Sequence, residues 1–430
     1  SWSAPEEVHN PMMLILILIT VLCLAVPVYV YAGYPALLWL MAGRHRREKP
    51  EAGEDLPSAA LVISCYNEAG VIREKLENAL SLEYPPGRLS IVVVSDGSDD
   101  GTDEIVASFA AQGVQLIRQE GRLGKTMGLN LALERIDSDL VVFSDANAMY
   151  APDAIRCLAR HFADPDVGYV VGAALYTDAD AGASAFSENL YWRYEIAMKQ
   201  WESQVHSVVG GDGAIYAIRR SLWEPLQRQD INDFVNPLQI IAKGYRGVFD
   251  EQARCFEETA GAYDSEIARK ERIVNRSIRG LMRVKEVMNP LKTGLFAWEV
   301  ISHKLLRWLI PLFMAIGLAG SAVLAALSVS FFQLVTAGGL AILLAAMLGA
   351  RNPDKNNLPT RQSLPYYFVM VNLYALIGIV RALRGETQVT WRTSRTGDEV
   401  FGQPEGKLPL HPLWWFSALV LVLALVAGYV

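Results

Sequence analysis

Leu140-Val-Val-Phe-Ser-Asp-Ala-Asn147 reads as a buried apolar strand that stops on two oxygen-bearing side chains, Asp145 and Asn147. In an open α/β sheet the ligand crevice lies beyond the carboxyl ends of the strands. Paired hard oxygens there suit a divalent cation held against a diphosphate. A second apolar run, Val92-Val-Val-Ser-Asp-Gly-Ser98, ends in the same way on Asp96. Asp and Asn are also ordinary turn residues, so one such end alone would be read as a turn. Two strands discharging acids into one crevice point to a nucleotide site.

Around these two runs the chain alternates. Apolar stretches predict strands over 59–64, 90–95, 114–118 and 140–144, and amphipathic stretches predict helices over 69–80, 102–111 and 125–134. This β-α-β-α order implies an α/β domain, Rossmann-like, with a mostly parallel sheet covered on both faces. Further on, the pattern predicts a helix over 153–161, a strand over 168–174 and a long helix over 187–203. A tight Gly210-Gly-Asp-Gly213 loop precedes a strand over 214–218, and a last α/β portion covers 230–258.

Composition places this domain at a membrane. The chain has 430 residues, 52% of them hydrophobic and 20% charged. No Asp, Glu, Lys or Arg occurs between Glu7 and Arg44, between Arg307 and Arg351, or after Lys407. At ~1.5 Å per helical residue the middle run can cross a ~30 Å hydrocarbon core twice, and each of the others once. A secretory signal usually has a basic start, whereas here Glu6 and Glu7 precede the run and Arg44, Arg46, Arg47 and Lys49 follow it. The excess of basic residues after the span puts the N-terminus outside and the domain in the cytoplasm. The expected layout is an N-terminal transmembrane helix over 1–43, a polar linker over 44–57 and the cytoplasmic domain over 58–266. Basic amphipathic, interfacial helices follow over 267–307, then a C-terminal membrane region over 308–430. Within that region 308–350 forms a hairpin and 411–430 a last span, while 364–380, short and containing Asn372, either re-enters or crosses.

A net charge of −7 argues against nucleic acid as a partner, since no basic excess is available for phosphates. Cys23, Cys65, Cys157 and Cys255 are far apart and show no metal or disulfide spacing. His161, His206 and His303 are isolated in the chain and read as structural.

Five motifs in order carry a resemblance: Ser64-Cys-Tyr-Asn-Glu68, Ser95-Asp-Gly-Ser98, Gly121-Arg-Leu-Gly-Lys125 with Asn130, Asp145-Ala-Asn147, and Asp230-Ile-Asn-Asp233. Together, over roughly 58–285, they resemble the family 2 glycosyltransferases of GT-A fold, and the flanking apolar segments resemble membrane-bound members such as polysaccharide synthases. The resemblance implies a nucleotide-sugar donor, probed by Ser64, Tyr66, Glu68, Asp96, Lys125, Asp145 and Arg272. It implies Mg²⁺ or Mn²⁺ at Asp145 and Asn147, and Asp233 as general base for an inverting transfer to a lipid-linked or growing polysaccharide acceptor. A second copy of the chain is a further possible partner.

Physical roles stand beside that resemblance. Tyr66 can stack on a base or be a core aromatic, and Asp96 can accept from a base N–H, as uracil offers, or merely cap a helix. Lys125 opens a helix at a glycine-flanked turn, where a cation and free N–H groups suit a diphosphate; Arg122 is the nearby alternative. Asn147 stands where the family has Asp, so the site lacks one negative charge, and Glu257 is the expected compensating ligand, with Glu258 beside it. Asn232 replaces the Glu that normally precedes the base, and Asp230 is the substitute base. Arg269-Lys-Glu-Arg272-Ile273 keeps only the Arg of the QxxRW motif, which leaves Trp192, Tyr194 and Trp201 as alternative sugar platforms or as interface anchors. The rival function is a catalytically silent sugar-nucleotide sensor or synthase scaffold.

Overall fold

A computed structural model of the chain describes residues 11–44, 50, 53, 55–176, 183–257, 263–352 and 358–386. The expected span at 411–430 and Glu258 lie outside these residues, as does the Trp192 side chain. Eight strands form one sheet: β1 (Ala59–Cys65), β2 (Leu89–Ser95), β3 (Val114–Arg118), β4 (Leu140–Asp145), β5 (Met149–Tyr150), β6 (Val167–Tyr176), β7 (Tyr216–Arg219) and β8 (Arg246–Glu257). Their spatial order is β3-β2-β1-β4-β7-β6-β8-β5. The first four are mutually parallel, as the sequence predicts, and β6 pairs parallel with β8. β7 runs antiparallel between β4 and β6, and β5 antiparallel on β8, so the second half of the sheet is mixed.

The apolar runs have a simple cause. Successive strand residues point to opposite faces, and both faces are covered. Ala60, Val62, Val92, Val94, Val141 and Phe143 enter one core, while Ala59, Leu61, Ile63, Ile91, Val93, Leu140 and Val142 enter the other. Each such Val, Leu or Ile contributes about 1.5–3 kcal/mol on burial, which leaves no solvent face for polar residues until the strands end.

Among the described residues four helices are long and apolar enough to cross a membrane: Pro11–Ala42, Leu295–Ala326, Ser330–Arg351 and Arg361–Leu383. Small residues let them approach. A Cβ at Gly320 would clash with Thr20, and one at Gly339 with Leu318. Outward, Leu22, Leu334 and Leu344 are exposed. The second of these helices begins at Leu295 and so crosses the expected boundary at 307. The segment expected as short, 364–380, is one helix over Thr360–Leu383, because Arg361-Gln-Ser363 continues it backwards and Arg381 meets Glu271 at 2.5 Å. Asn372 does not break it, since its amide donates to Phe368 O at 2.8 Å.

In the basic stretch after 267, Arg276 is buried, while Arg283, Lys285 and Lys292 are exposed. Helix Tyr263–Arg283 touches the membrane helix closely enough that a Cβ at Gly378 would meet Glu271 O at 2.7 Å. Asn275 Nδ2 donates to Gly378 O at 3.1 Å. Arg276 and Arg283 both bond Asp230, and Arg307 bonds Glu195 at 2.5 Å.

Candidate active site

Strand register gathers the predicted residues at one sheet edge. Ser64 of β1 stands level with Asp145 of β4, and Cys65 level with Ser95 of β2. Asp96 then continues the ladder, its N–H donating to Cys65 O at 3.0 Å. This edge is where the strand order reverses, between β1 and its neighbours, the usual position for a ligand in such sheets.

Asp96 organises the glycine turn. Its Oδ1 accepts from Gln119 Nε2 at 2.5 Å and from the N–H groups of Leu123 and Gly124, both at 2.9 Å; Oδ2 accepts from Gly124 N at 3.0 Å. Burial raises the Asp96 pKa, with these bonds opposing. Gly97, at φ +73°, is required here, because a Cβ would also meet Gly121 O at 3.1 Å. Asp96 thus builds the turn from which Lys125 projects, a role the sequence does not assign it. Tyr66 is covered by Arg122, whose guanidinium carbon lies 3.9 Å from the ring centroid, an existing stack of the kind a planar base would make. Ser64 Oγ is buried with no hydrogen-bond partner among the described residues. Glu68 is buried, its backbone N–H bonded to Thr102 Oγ1 at 2.9 Å.

Lys125, Asp145 and Asp233 converge. Lys125 Nζ lies 2.5 Å from Asp145 Oδ1. A Cβ at Gly213 would lie 3.2 Å from Asp233 Oδ2, 3.6 Å from Asp145 Oδ2 and 3.6 Å from Lys125 Nζ. Three charged groups from a helix start, a strand end and a second helix start therefore surround one point, kept open by the missing side chain of Gly213. Burial would lower the Lys125 pKa, but Asp145, Asp233 and Glu257 outweigh it and raise it. Asp233 opens helix Asn232–Ala242, and its Oδ1 is buried without a hydrogen-bond partner among the described residues. Burial raises its pKa, Asp212 and Asp145 add to the rise, and Lys125 and Arg276 oppose it.

Asp230, the substitute base, is tied up: its carboxylate takes Arg283 and the Gln227 N–H. Asn147 is half-buried on the turn after β4. Glu257 ends β8 one residue beyond the Met149–Phe256 pair, and its charge acts on Lys125. Among the described residues no group of three or more His, Cys, Asp or Glu can hold a metal ion. On the basic helix, Arg276, one turn beyond Arg272, bears electrostatically on Asp233 and donates to Gln229 O at 2.9 Å. Tyr194 and Trp201 are partly buried and pack against the cluster formed by Tyr34, Leu38, Ala42, Met198 and Val205.

Sequence reasoning missed four residues. Lys75 is fully buried, donates to Ala148 O and sits 4.1 Å from the Tyr150 ring centroid; burial pushes its pKa down to about 7. Its helix buries Ile72, Lys75, Leu76 and Ala79, a spacing that marks Lys75 as inward-facing. Asp212 and Lys199 form a 2.8 Å pair beside Asp233, and Arg276 is the fourth. The histidines are not isolated in space. His161 bonds Asp250 at 2.7 Å, and His303 bonds Glu202 at 2.6 Å.

The fold and the edge-located site define a GT-A-type transferase scaffold within a membrane protein. Residues 60–224 match the family described as Glycosyl transferase family 2, so the chain carries a glycosyl transferase family 2 domain. Over 185 residues it is 25% identical to the beta-monoglucosyldiacylglycerol synthase of Trichormus variabilis, covering 41% of this chain and 38% of that one. Over 129 residues it is 31% identical to the poly-beta-1,6-N-acetyl-D-glucosamine synthase of Staphylococcus aureus, covering 29% and 31% respectively. The chain thus spans under two-fifths of the length of either relative. Among solved structures, mannosyltransferase PcManGT from Pyrobaculum calidifontis, in complex with GDP-Man and Mn²⁺, superposes with a TM-score of 0.62 at 22% identity. That match covers 85% of this chain and 99% of the other, and it speaks for the fold.

Proposed function

We propose that the protein is an inverting membrane glycosyltransferase that moves a sugar from a nucleotide-diphosphate sugar, UDP-linked, to a hydroxyl of a lipid-linked or growing polysaccharide acceptor. The observation that carries this reading is the closure of Asp145, Lys125 and Asp233 around Gly213. A donor diphosphate lies against Lys125 and the N-terminus of its helix, where charge and free N–H groups favour anions. Ser64, whose hydroxyl has no partner among the described residues, and Tyr66, with its exchangeable stack, serve the nucleoside. Asp233 takes the acceptor proton as the hydroxyl attacks the anomeric carbon from the face opposite the leaving diphosphate, giving a β-linkage. A base in this position benefits from its raised pKa.

The donor set fits Mg²⁺ or Mn²⁺: the Asp145 carboxylate, the Asn147 amide oxygen and Glu257 are hard oxygens. Asp145, Asn147 and Glu257 would hold the ion, which would also depend on phosphate oxygens of the donor, as is usual for Mg²⁺. The cation would supply charge neutralisation at the departing diphosphate. PcManGT is recorded with Mn²⁺, and the two relatives are named for a glycolipid and a polysaccharide; both support this reading. The catalytic domain is cytoplasmic and the N-terminus outside, in keeping with the basic residues after the first helix.

The test is to incubate membranes holding the protein with UDP-glucose, UDP-N-acetylglucosamine and GDP-mannose, with and without Mn²⁺, and to measure nucleotide release and product size. Release that needs Asp233, abolished in Asp233→Asn, is expected. Donor binding without turnover across the panel would instead favour the sensor.

A further inference from the structure

Helix Ala183–Val205 carries an ionic stripe on one face: Glu195, Lys199 and Glu202, at the i, i+4, i+7 spacing that places side chains together. Its two outer members reach the membrane helix Leu295–Ala326. Arg307 bonds Glu195 at 2.5 Å, and His303 lies 3.4 Å from Glu195 and 2.6 Å from Glu202. Glu202 also accepts from Tyr34 Oη of the N-terminal helix at 2.8 Å and from Val209 N at 3.0 Å. The middle member faces the site. Lys199 Nζ bonds Asp212 Oδ2 at 2.8 Å, both side chains being largely buried. Asp212 in turn shapes the Gly210–Gly213 loop, accepting from Ala214 N at 3.3 Å. That loop lies on the base: Gly211 N–H donates to Asp233 O at 2.5 Å, and Gly213 faces the Asp233 carboxylate.

We propose that Lys199 is a positioning residue for the transfer, which through Asp212 holds the Gly210–Gly213 loop against Asp233 and is itself fixed by the seating of Glu195 and Glu202 on Arg307 and His303. The base is thereby aligned with the membrane helices, where a lipid-borne acceptor arrives. Two features argue for position over mere stability. A buried ion pair is weak as a source of stability, and this one lies at the only loop whose missing side chain opens the point between Asp233, Asp145 and Lys125 among the described residues. The stripe also connects two pairs with no intervening mobile element, since all three residues share one continuous helix. The inference rests on the transferase reading above.

The experiment measures UDP release from UDP-glucose and UDP-N-acetylglucosamine by the full-length protein in lipid nanodiscs. Lys199→Met is expected to lower kcat about 100-fold, the scale of a misplaced catalytic group, with donor KM nearly unchanged, because no donor contact is removed. Lys199→Arg keeps the charge and should recover most of the rate. Arg307→Met should lower kcat about tenfold, and the Lys199→Met, Arg307→Met double variant should be no slower than Lys199→Met alone, the non-additivity of groups acting in series. Full activity in Lys199→Met, a parallel rise in donor KM, or Lys199→Arg no better than Lys199→Met would each overturn the proposal. If the unmutated protein releases no UDP, the transferase reading itself falls and takes the proposal with it.

Discussion

Lys125 Nζ sits 2.5 Å from Asp145 Oδ1, so the group proposed for the donor diphosphate and the group proposed for the cation neutralise each other. Binding must separate them. On the proposed reading the ammonium would turn to phosphate and the carboxylate to the cation, and each arriving ligand would free the partner of the other. Lys125→Met should therefore bind Mn²⁺ alone more tightly than the unmutated protein, while its kcat falls about 10²–10³-fold for want of a charge on the leaving diphosphate. Calorimetric Mn²⁺ titration without donor checks the first outcome; equal or weaker binding in the variant would count against the pairing.

On the proposed reading, Asp233 as the base should govern the acid side of the pH profile. Its pKa is raised by burial, then by Asp212 and Asp145. The active form is the carboxylate, so kcat/KM should rise with pH through a limb lying above the ordinary Asp value of about 3.9. Every charged group facing Asp233 sets where that limb falls: Lys125, Asp145 and Asp212, with Arg276 on the basic helix and Lys199 behind Asp212. Asp212→Asn removes a like charge and should move the limb to lower pH. A limb that stays in place or moves up would refute the electrostatic account.

Gly213→Ala is a small change in an expensive location. The added methyl meets Asp233 Oδ2 at 3.2 Å and nears Asp145 Oδ2 and Lys125 Nζ. Thermal unfolding should hardly change, because no apolar core is disturbed, while turnover falls by about two orders of magnitude. Near-normal turnover would show that the reacting atoms pass elsewhere.

Asp250 supplies a structural test that leaves the site alone. Burial would raise its pKa, but bonds from His161, the Gln252 N–H and Arg160 outweigh this and hold it at about 2. A carboxyl depressed from about 3.9 to about 2 stabilises the fold by about 2.6 kcal/mol above pH 4. That contribution disappears as pH falls from about 4 to about 2. Asp250→Asn should lose it at neutral pH and show a shallower acid dependence of unfolding; an unchanged acid transition would contradict the assignment.

Strands β1, β2 and β4 were legible because both of their faces are largely buried, so Ala59–Cys65, Leu89–Ser95 and Leu140–Asp145 announce themselves as apolar runs. The converging Asp145 and Asp233 were legible as motifs. What partners them was not. Asp212 and Lys199 are thirteen residues apart on a loop and a helix, and nothing local in either shows that they meet. Arg276 looked like one of many basic residues on an interfacial helix, whereas its distinguishing property, bonding to Gln229 O and Asp230 O, is tertiary. Lys75 was the exception: its place in the apolar spacing of helix Ile72–Leu80 could have been read.

Each of the two helices that meet at Tyr29 and Ser302 contains a single π-turn, Tyr29–Gly33 in one and Ile301–Leu305 in the other, and the Tyr29 and Ser302 hydroxyls lie 2.8 Å apart. A π-turn holds one residue more than the α-helical winding allows, so beyond it every side chain is rotated by about 100°. Deleting a single amino acid from 301–305 would erase that offset and swing Arg307 away from Glu195, although no residue of the contact had been altered. Chain length in these two stretches is thus itself a constrained quantity, and drift in one helix would need a matching gain or loss in the other.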